Sequence, residues 1–279
     1  MKTWLGMVAV AGMSVWFLPT RPLCSNAAAD ETAADERLQQ VKEVLEQSVD
    51  WYDVLPAAEA KVGLRPQIVL SWRNAVRTST GAALLAIWTD QGRPVAMASI
   101  FQNGNDICHE FGSLSRSQKI VVRDKTRVVW SPGKAGVEFR DFPDAAPPAE
   151  DRAERLRQMK SLAGRFTARL PALNLDNANP EVLRLLPRPL YRYELKDAQG
   201  TGPILRDGAM FAFVMGTDPE VVLLLEAVER EGKVVWQYAL ARATSYAVEA
   251  SLGDEVVWSA QNGPNASNPM TQIFRPIPQ

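Results

Sequence analysis

The stretch that decides the fold is GAMFAFVMGTDPEVVLLLEAVEREGKVVWQYALARATSYAVEASLGDEVVWS, which covers residues 208–259. Apolar runs of strand length alternate in it with turn residues such as Asp218-Pro219 and Gly232. Short apolar or alternating runs between turn signals are typical of consecutive antiparallel strands. The stretch therefore predicts an antiparallel meander.

A second stretch, residues 81–131, reads GAALLAIWTDQGRPVAMASIFQNGNDICHEFGSLSRSQKIVVRDKTRVVWS and follows the same plan. Both stretches open with Gly-Ala and close with Val-Val-Trp-Ser, and one constant offset aligns Gly104 with Gly232 and Trp130 with Trp258. We interpret this as an internal duplication. Only eight of the 43 positions from Thr89 to Ser131 are identical, so two unrelated meanders with the same local strands are the alternative.

A helical pattern precedes each stretch. Leu38, Val41 and Leu45 recur at helical spacing before the first stretch, and apolar residues from Leu156 to Leu170 do so before the second. The predicted fold class is α+β, with two tandem helix-plus-antiparallel-meander units. Each unit would be a helix on a curved sheet, as in cystatin-like folds.

Composition changes along the chain predict its division. We expect a signal peptide at residues 1–29, a first helix-plus-sheet unit at 30–142 and a Pro-rich linker at 143–150. A second unit would follow at 151–260, and a C-terminal surface tail at 261–279.

The first residues have the features of an export signal. Lys2 gives a positive start, an apolar stretch runs from Trp4 to Leu18, and small residues precede a cleavage point near Ala29. The apolar stretch is shorter than the ~20 residues that span a bilayer. We therefore expect a periplasmic or extracellular protein with no stable membrane span after cleavage, although a retained anchor is the alternative.

Net charge argues against nucleic acid as a partner. Without residues 1–29 the chain would hold 29 basic and 32 acidic residues, a net charge near −3. Proteins that bind nucleic acid usually carry a basic excess. The shortened chain would also keep Cys108 as its one cysteine, so we expect no internal disulfide.

The segment Cys108-His109-Glu110 places a thiol, an imidazole and a carboxyl group side by side, and His109 is the only histidine in the chain. Neighbouring side chains in a strand point to opposite faces, so we expect Cys108 and Glu110 on one face and His109 with Phe111 on the other. A catalytic cysteine would then lack a base. We expect a core cysteine and a surface or edge histidine, and keep Glu110 and His109 as weak catalytic candidates.

Metal and carboxylate chemistry are the remaining catalytic options. One cysteine and one histidine on opposite faces cannot supply the ligands of a zinc site, and we expect no metal and no cofactor. Paired carboxyl groups can hydrolyse a glycoside, and Glu110 with Glu226 or Glu194 offers such a pair. Because the chain has 32 acidic residues, some pair is expected anyway. We favour a protein that is not an enzyme.

Tryptophans in the predicted strands are candidate ligand-binding residues: Trp88, Trp130, Trp236 and Trp258. One interpretation is that they fill the core against the helices. The other is that they line a groove between the two units, where a ligand stacks on them.

Several segments resemble one family. LRLLPRPLYRYE (residues 183–194), DGAMFAFVMGTDPEVVLLLEA (207–227) and WQYALARATS (236–245) resemble a family of exported, planctomycete-type bacterial proteins with no assigned function, and HEFGSLS and RLRQMKSLA are similar to it as well. The resemblance implies an exported bacterial protein. It brings no activity, cofactor or catalytic residue.

The functional prediction is an exported, non-enzymatic binding or envelope-interaction protein that uses a cleft between the two units. Its partner would be a protein, a glycan or a small apolar ligand. Two alternatives stay open: a hydrolase that uses Glu110, and a carrier that holds an apolar ligand between the sheets.

Overall fold

A computed structural model of the chain describes residues 25–73, 81–117, 119–171, 179–194, 204–263 and 269–278. These residues form two α-helices, α1 (Ser25–Ser48) and α2 (Arg152–Ala163), and a 3-10 helix at Val49–Trp51. All strand pairs among them are antiparallel. The strands are β1 (Asp53–Leu55), β2 (Pro66–Arg73), β3 (Ala82–Asp90), β4 (Arg93–Asn103), β5 (Asp106–Ser113), β6 (Val121–Asp124), β7 (Arg127–Trp130), β8 (Arg140–Asp141), β9 (Phe166–Leu170), β10 (Glu181–Leu185), β11 (Tyr191–Tyr193), β12 (Ile204–Met215), β13 (Asp218–Arg230), β14 (Lys233–Arg242), β15 (Val248–Leu252), β16 (Glu255–Ala260) and β17 (Met270–Pro276).

The predicted fold class is wrong. Among the described residues, strands far outnumber the residues of the two α-helices, so the protein is mostly antiparallel β and not a helix-on-sheet α+β protein of two helix-plus-meander units. The physical reason is that the two large sheets pack on each other as well as on the helices, through a core cluster between them that is described below.

The second predicted helix is too long. Gly164 ends α2, and the next five residues, Phe166–Leu170, form β9 with alternate residues buried. Phe166 and Leu170 are four positions apart, a spacing that fits both one helix face and one strand face. The apolar pattern was therefore ambiguous beyond Ala163.

Helix α1, which is described from Ser25 onward, continues through the expected cleavage point at Ala29. The expected cleavage is still a prediction. Leu45 of this helix is buried in a core cluster. Within the described ranges, no helix combines the length and the apolar character needed to cross a bilayer.

The first large sheet has five strands in the order β17-β5-β4-β3-β2. The predicted meander of β3, β4 and β5 is at its centre. The β4–β5 hairpin turns at Gly104-Asn105, and Gly104 has a φ of +63°. A glycine at the first central position suits a tight hairpin turn. β17, from the segment predicted as a surface tail, pairs with β5 along its whole length.

The second large sheet has nine strands. Eight follow the order β16-β15-β9-β10-β12-β13-β14-β8, and β11 pairs with β12 beside that path. Its two end strands approach each other, because Arg140 Nη1 of β8 donates to the Val257 carbonyl of β16 at 2.9 Å. We call the gap between these two ends the seam.

Burial on both faces of the sheets produces a layered core. In β13, Leu223 and Leu225 join one cluster with α2, while Val222 and Leu224 join a second cluster between the two large sheets. The five-stranded sheet turns its other face to a third cluster with α1 and the three-stranded sheet β1-β6-β7. Residues between the large sheets include Leu85, Ile87, Met97, Met210, Ala239 and Ala241.

The two halves of the chain pair their strands in the same order. In the first half β1 pairs with β6, β2 with β3, and β6 with β7; in the second half β9 pairs with β15, β10 with β12, and β15 with β16. β9 also pairs with β10. In the second half, the β15–β16 hairpin and the strands β10, β12, β13 and β14 therefore belong to one sheet. No ladder joins β1 to β2 among the described residues.

The constant offset of the predicted repeat fits only part of this correspondence. It aligns the start of β7 at Arg127 with the start of β16 at Glu255. At the first hairpin it would place Gln91 on Pro219, whereas the turns begin at Gln91 and Gly216. The internal duplication stays a prediction.

Candidate functional site

A cavity of about 880 Å³ lies at the seam. Beyond the short strand β8, the seam is bordered by β14 on one side and by β16 on the other. Consecutive residues of both strands line the cavity, 240–242 of β14 and 257–260 of β16. Since consecutive side chains of a strand point to opposite faces, the cavity meets the edges of these strands and not one face of the sheet. Residues 134–140, which lead into β8, form the remaining wall. We call it the seam cavity.

The wall of the seam cavity holds more basic than acidic side chains, and three of its guanidinium groups form ion pairs: Arg116 with Glu226, Arg140 with Glu138 and Arg230 with Asp141. The chain as a whole is nearly neutral, with a formal charge of −1, so the excess of basic residues is a local property of this wall. One acidic residue, Glu138, lines the cavity. Five basic residues line it: Arg116, Lys134, Arg140, Arg230 and Arg242. Such a wall favours an anionic ligand.

Behind this wall, Glu226 of β13 is fully buried between the two large sheets. The Arg93 guanidinium donates two hydrogen bonds to its carboxylate, both 2.9 Å long. Arg116 donates a third at 2.8 Å, Tyr193 a fourth at 3.0 Å and Gln237 a fifth at 2.6 Å. A buried carboxylate that accepts this many bonds holds its donors in fixed positions. We call this group the Glu226 cluster.

The Glu226 cluster shapes the cavity through Arg116 and Gln237, which belong to both. The Arg116 guanidinium lies 4.0 Å from the ring centroid of Phe139, another wall residue. Burial lowers the pKa of Arg116, and Glu226 opposes that effect. Gln237 accepts from Arg230 at 2.6 Å, so the hydrogen bonds of the cluster continue to a further wall residue.

Arg242 at the end of β14 orders another part of the wall. Its guanidinium donates to the carbonyl oxygens of Thr244, Tyr246 and Gln261, at 2.6, 2.8 and 2.7 Å. Burial lowers the pKa of Arg242. This side chain ties the turn after β14 to the end of β16, and it adds a positive charge whose contacts are carbonyl dipoles.

Gly136 brings the wall segment against the end of β5. A Cβ at this position would lie 1.9 Å from the Ser113 carbonyl oxygen, and the Gly136 amide donates to the Ser115 carbonyl at 2.8 Å. Only glycine permits this approach of two main chains.

The predicted placement of the Cys108-His109-Glu110 segment is confirmed in part. His109 packs beside Phe111 and Tyr52, and Glu110 bonds with Gln272. The prediction of a surface or edge histidine is wrong, because His109 is fully buried. Its Nε2 lies 3.1 Å from both oxygens of Ser48, and burial lowers its pKa to about 4.

Glu110 is buried away from the seam cavity wall. It accepts from Gln272 Nε2 at 2.9 Å. Burial raises its pKa to about 7, against the opposing effect of the bonds from Gln272 and Ser245, while Asp218 raises it further. The Cys108 thiol is also buried, which raises its pKa.

Three of the four candidate tryptophans lie in the core clusters. Trp88 and Trp130 pack in the cluster below the five-stranded sheet, and Trp236 packs in the cluster with α2. Trp258 of β16 lines the seam cavity. In a strand that is buried on both faces, an aromatic side chain packs in the core whichever face it lies on. A large number of aromatic residues in the strands therefore does not by itself indicate a groove.

Sequence reasoning missed most of the Glu226 cluster. From the sequence, Glu226 is a candidate only as a second carboxyl group for Glu110, and Arg93, Arg116 and Gln237 are not predicted. A signal was present, since Glu226 is a single acid inside the apolar run VVLLLEAV. A charge in a strand buried on both faces needs a partner of opposite charge.

Metal ligation has little support in the described ranges, which contain no group of three or more His, Cys, Asp or Glu residues that could hold a metal ion. Comparison of the chain with protein-family models, curated proteins and solved structures finds no match.

Proposed function

We propose that this chain is an exported, non-enzymatic binding protein that holds an anionic ligand in the seam cavity. The observation that carries the proposal is the wall of five basic residues and one acidic residue at the meeting of two strand edges. The volume of about 880 Å³ falls within the ~300–1,000 Å³ typical of ligand pockets.

The fixed position of the cationic groups supports binding. Arg116 is held by Glu226 and stacked on Phe139, and Arg242 is held by carbonyl oxygens. A ligand that meets donors already in position loses less conformational entropy on binding. Lys134 forms no ion pair with the described residues, so its charge is available to a ligand.

An apolar carrier has less support. The space between the two large sheets is filled by a cluster that includes Leu85, Met97, Met210 and Leu224. An apolar ligand there would have to displace packed side chains, which typically costs several kcal/mol.

A hydrolase that uses Glu110 is the second candidate. The observation in its favour is the pKa of about 7, which suits a general acid or base near neutral pH. The geometry favours it less, because Glu110 lines neither the seam cavity nor the cavity beside Trp51 and Arg275. An activity that survives both Glu110→Gln and His109→Gln would exclude this candidate.

Isothermal titration calorimetry with citrate tests the anion-binding proposal. We expect citrate to bind, binding to weaken as salt is raised, and spermidine to show no heat. Lys134→Ala should weaken citrate binding by about threefold, which corresponds to the loss of one exposed charge contact. The matched control is Lys61→Ala, which removes an exposed lysine outside both cavities. Equal affinity for citrate and for uncharged glycerol would refute the proposal.

A further inference from the structure

The outer edge of β14 is open beyond β8. β14 has ten residues, but β8 pairs with only two of them, Gln237 and Tyr238. Past Tyr238, no described strand lies on that side of β14. The Phe142 amide donates to the Trp236 carbonyl, and alternate residues of an edge strand present their main-chain groups to the same side. Leu240 therefore turns its N–H and C=O groups toward the seam.

The opposite border of the seam is also an open edge. Among the described residues β16 pairs with β15 alone. Its ladder skips Val257, which stands out of register between Val256 and Trp258. The Val257 carbonyl points across the seam, where Arg140 donates to it. Two unpaired strand edges thus face each other across one cavity.

An unpaired edge binds an extended chain by adding it as a further strand, with main-chain bonds for affinity and alternate side chains for specificity. Residues 239–242 of β14 span roughly 13 Å at ~3.3 Å per residue. That length matches an extended segment of about four residues. A small compact anion would leave most of this edge unpaired.

The two faces of the seam differ in chemistry. On the side between the large sheets, the wall holds Arg116 and Gln237; on the other side it holds Trp258, Tyr238 and Leu240, which pack with the α2 cluster. Side chains of an inserted strand would alternate between these two sides. The complementary sequence therefore alternates acidic and apolar residues.

We propose that the ligand of the seam cavity is an extended peptide of alternating acidic and apolar residues, which enters as an added strand between β14 and β16. This inference rests on the proposed function, because it names the class of anion that the same cavity takes. The charge of the wall selects acidic residues, and the two open edges select an extended main chain.

Fluorescence anisotropy with synthetic peptides tests the inference on the unaltered protein. The probe is fluorescein-labelled Glu-Val-Glu-Val-Glu with a blocked carboxyl end. One control carries N-methyl groups on its two valines, which removes two main-chain donors and keeps every charge. A second control, Glu-Glu-Glu-Val-Val, keeps the composition and loses the alternation. We expect the probe to bind at least about tenfold more tightly than either control, as expected for the loss of a few hydrogen bonds, and we expect citrate to displace it.

The outcomes separate the two proposals. Equal binding of all three peptides, or binding of citrate without any peptide, would overturn strand addition and leave anion binding in place. Failure of both citrate and the peptides to bind would overturn both proposals. A tenfold preference for the alternating, unmethylated peptide together with displacement by citrate would support both.

Discussion

Removal of the charge of Glu226 should strongly destabilise the β-sheet core. Glu226→Gln keeps the shape of the side chain but leaves Arg93 and Arg116 without their counter-charge. The new amide nitrogen would also face donors, because every bond to Glu226 comes from an N–H or O–H group. We therefore expect loss of a buried ion pair together with unsatisfied donors.

The magnitude follows from burial. Breaking a buried ion pair by removing one partner costs about 3–5 kcal/mol. The Glu226 side chain is 0% exposed and that of Arg93 is 17% exposed, whereas that of Arg116 is 34% exposed. Water can rehydrate Arg116, so we expect a loss near the lower limit, about 3 kcal/mol of unfolding free energy. The five hydrogen bonds are not summed, because members of one network are not additive.

The assay is urea unfolding followed by tryptophan fluorescence, with linear extrapolation to water and an unchanged slope m. The matched control is Glu229→Gln in the same strand, whose partner Arg206 is 54% exposed. An exposed pair of this kind contributes at most about 1 kcal/mol. Equal losses for the two variants would refute the reasoning, because the buried cluster would then contribute no more than a surface pair.

Two further predictions concern titration and packing. Burial raises the pKa of Glu110 from 4.5 to about 7 and lowers that of His109 from 6.5 to about 4. Stability from Glu110 is lost as pH rises from about 4.5 to 7, and stability from His109 is lost as pH falls from about 6.5 to 4, each by about 3 kcal/mol. Because the two effects have opposite signs, the unfolding free energy of the wild type should change little with pH between 4.5 and 6.5. In Glu110→Gln, urea unfolding should show an unfolding free energy that rises with pH up to 6.5. A pH-independent unfolding free energy in this variant would contradict the effect assigned to His109. Gly136→Ala should cost at least about 2 kcal/mol in the same assay, since its Cβ would meet the Ser113 carbonyl at 1.9 Å. Gly216→Ala, at a φ of +60° with open space around its Cβ, should cost only about 1 kcal/mol, and equal costs would contradict the packing argument.

Strands that follow each other closely along the chain were predictable. The apolar runs on either side of Gly232 predict two consecutive strands, and the structure has β13 at Asp218–Arg230 and β14 at Lys233–Arg242. Alternation and turn residues are local signals, so they define such hairpins well. β8 and β17 were missed because each is a strand only through its partner, which lies far away in the sequence.

The fold class was missed for a related reason. Periodicity shows which side chains are buried, but not whether a helix or a second sheet covers them. In β13 both faces are buried, one against α2 and the other against the five-stranded sheet. A continuous apolar run such as VVLLL indicates burial on both faces, but it does not show that one of the two covering layers is a sheet.

The site was predictable only in part. Alternation correctly assigned Glu110 and His109 to different faces of β5. The Glu226 cluster joins residues 133 and 110 positions apart in the sequence, Arg93 and Arg116 with Glu226. No local pattern encodes such pairs. The single acid in an apolar strand indicates that a partner exists, but it does not identify that partner.

The ladder between β9 and β10 makes the two halves differ in how force passes from the hairpin to the meander. In the second half, tension on the β15–β16 hairpin passes through main-chain hydrogen bonds to the meander. In the first half, β1, β6 and β7 contact the five-stranded sheet through side chains, including the ion pair of Arg275 with Asp124, and no main-chain ladder joins them to it among the described residues. That three-stranded piece can detach while every rung of the large sheets stays intact, so amides there would exchange with solvent by a local opening of lower free energy.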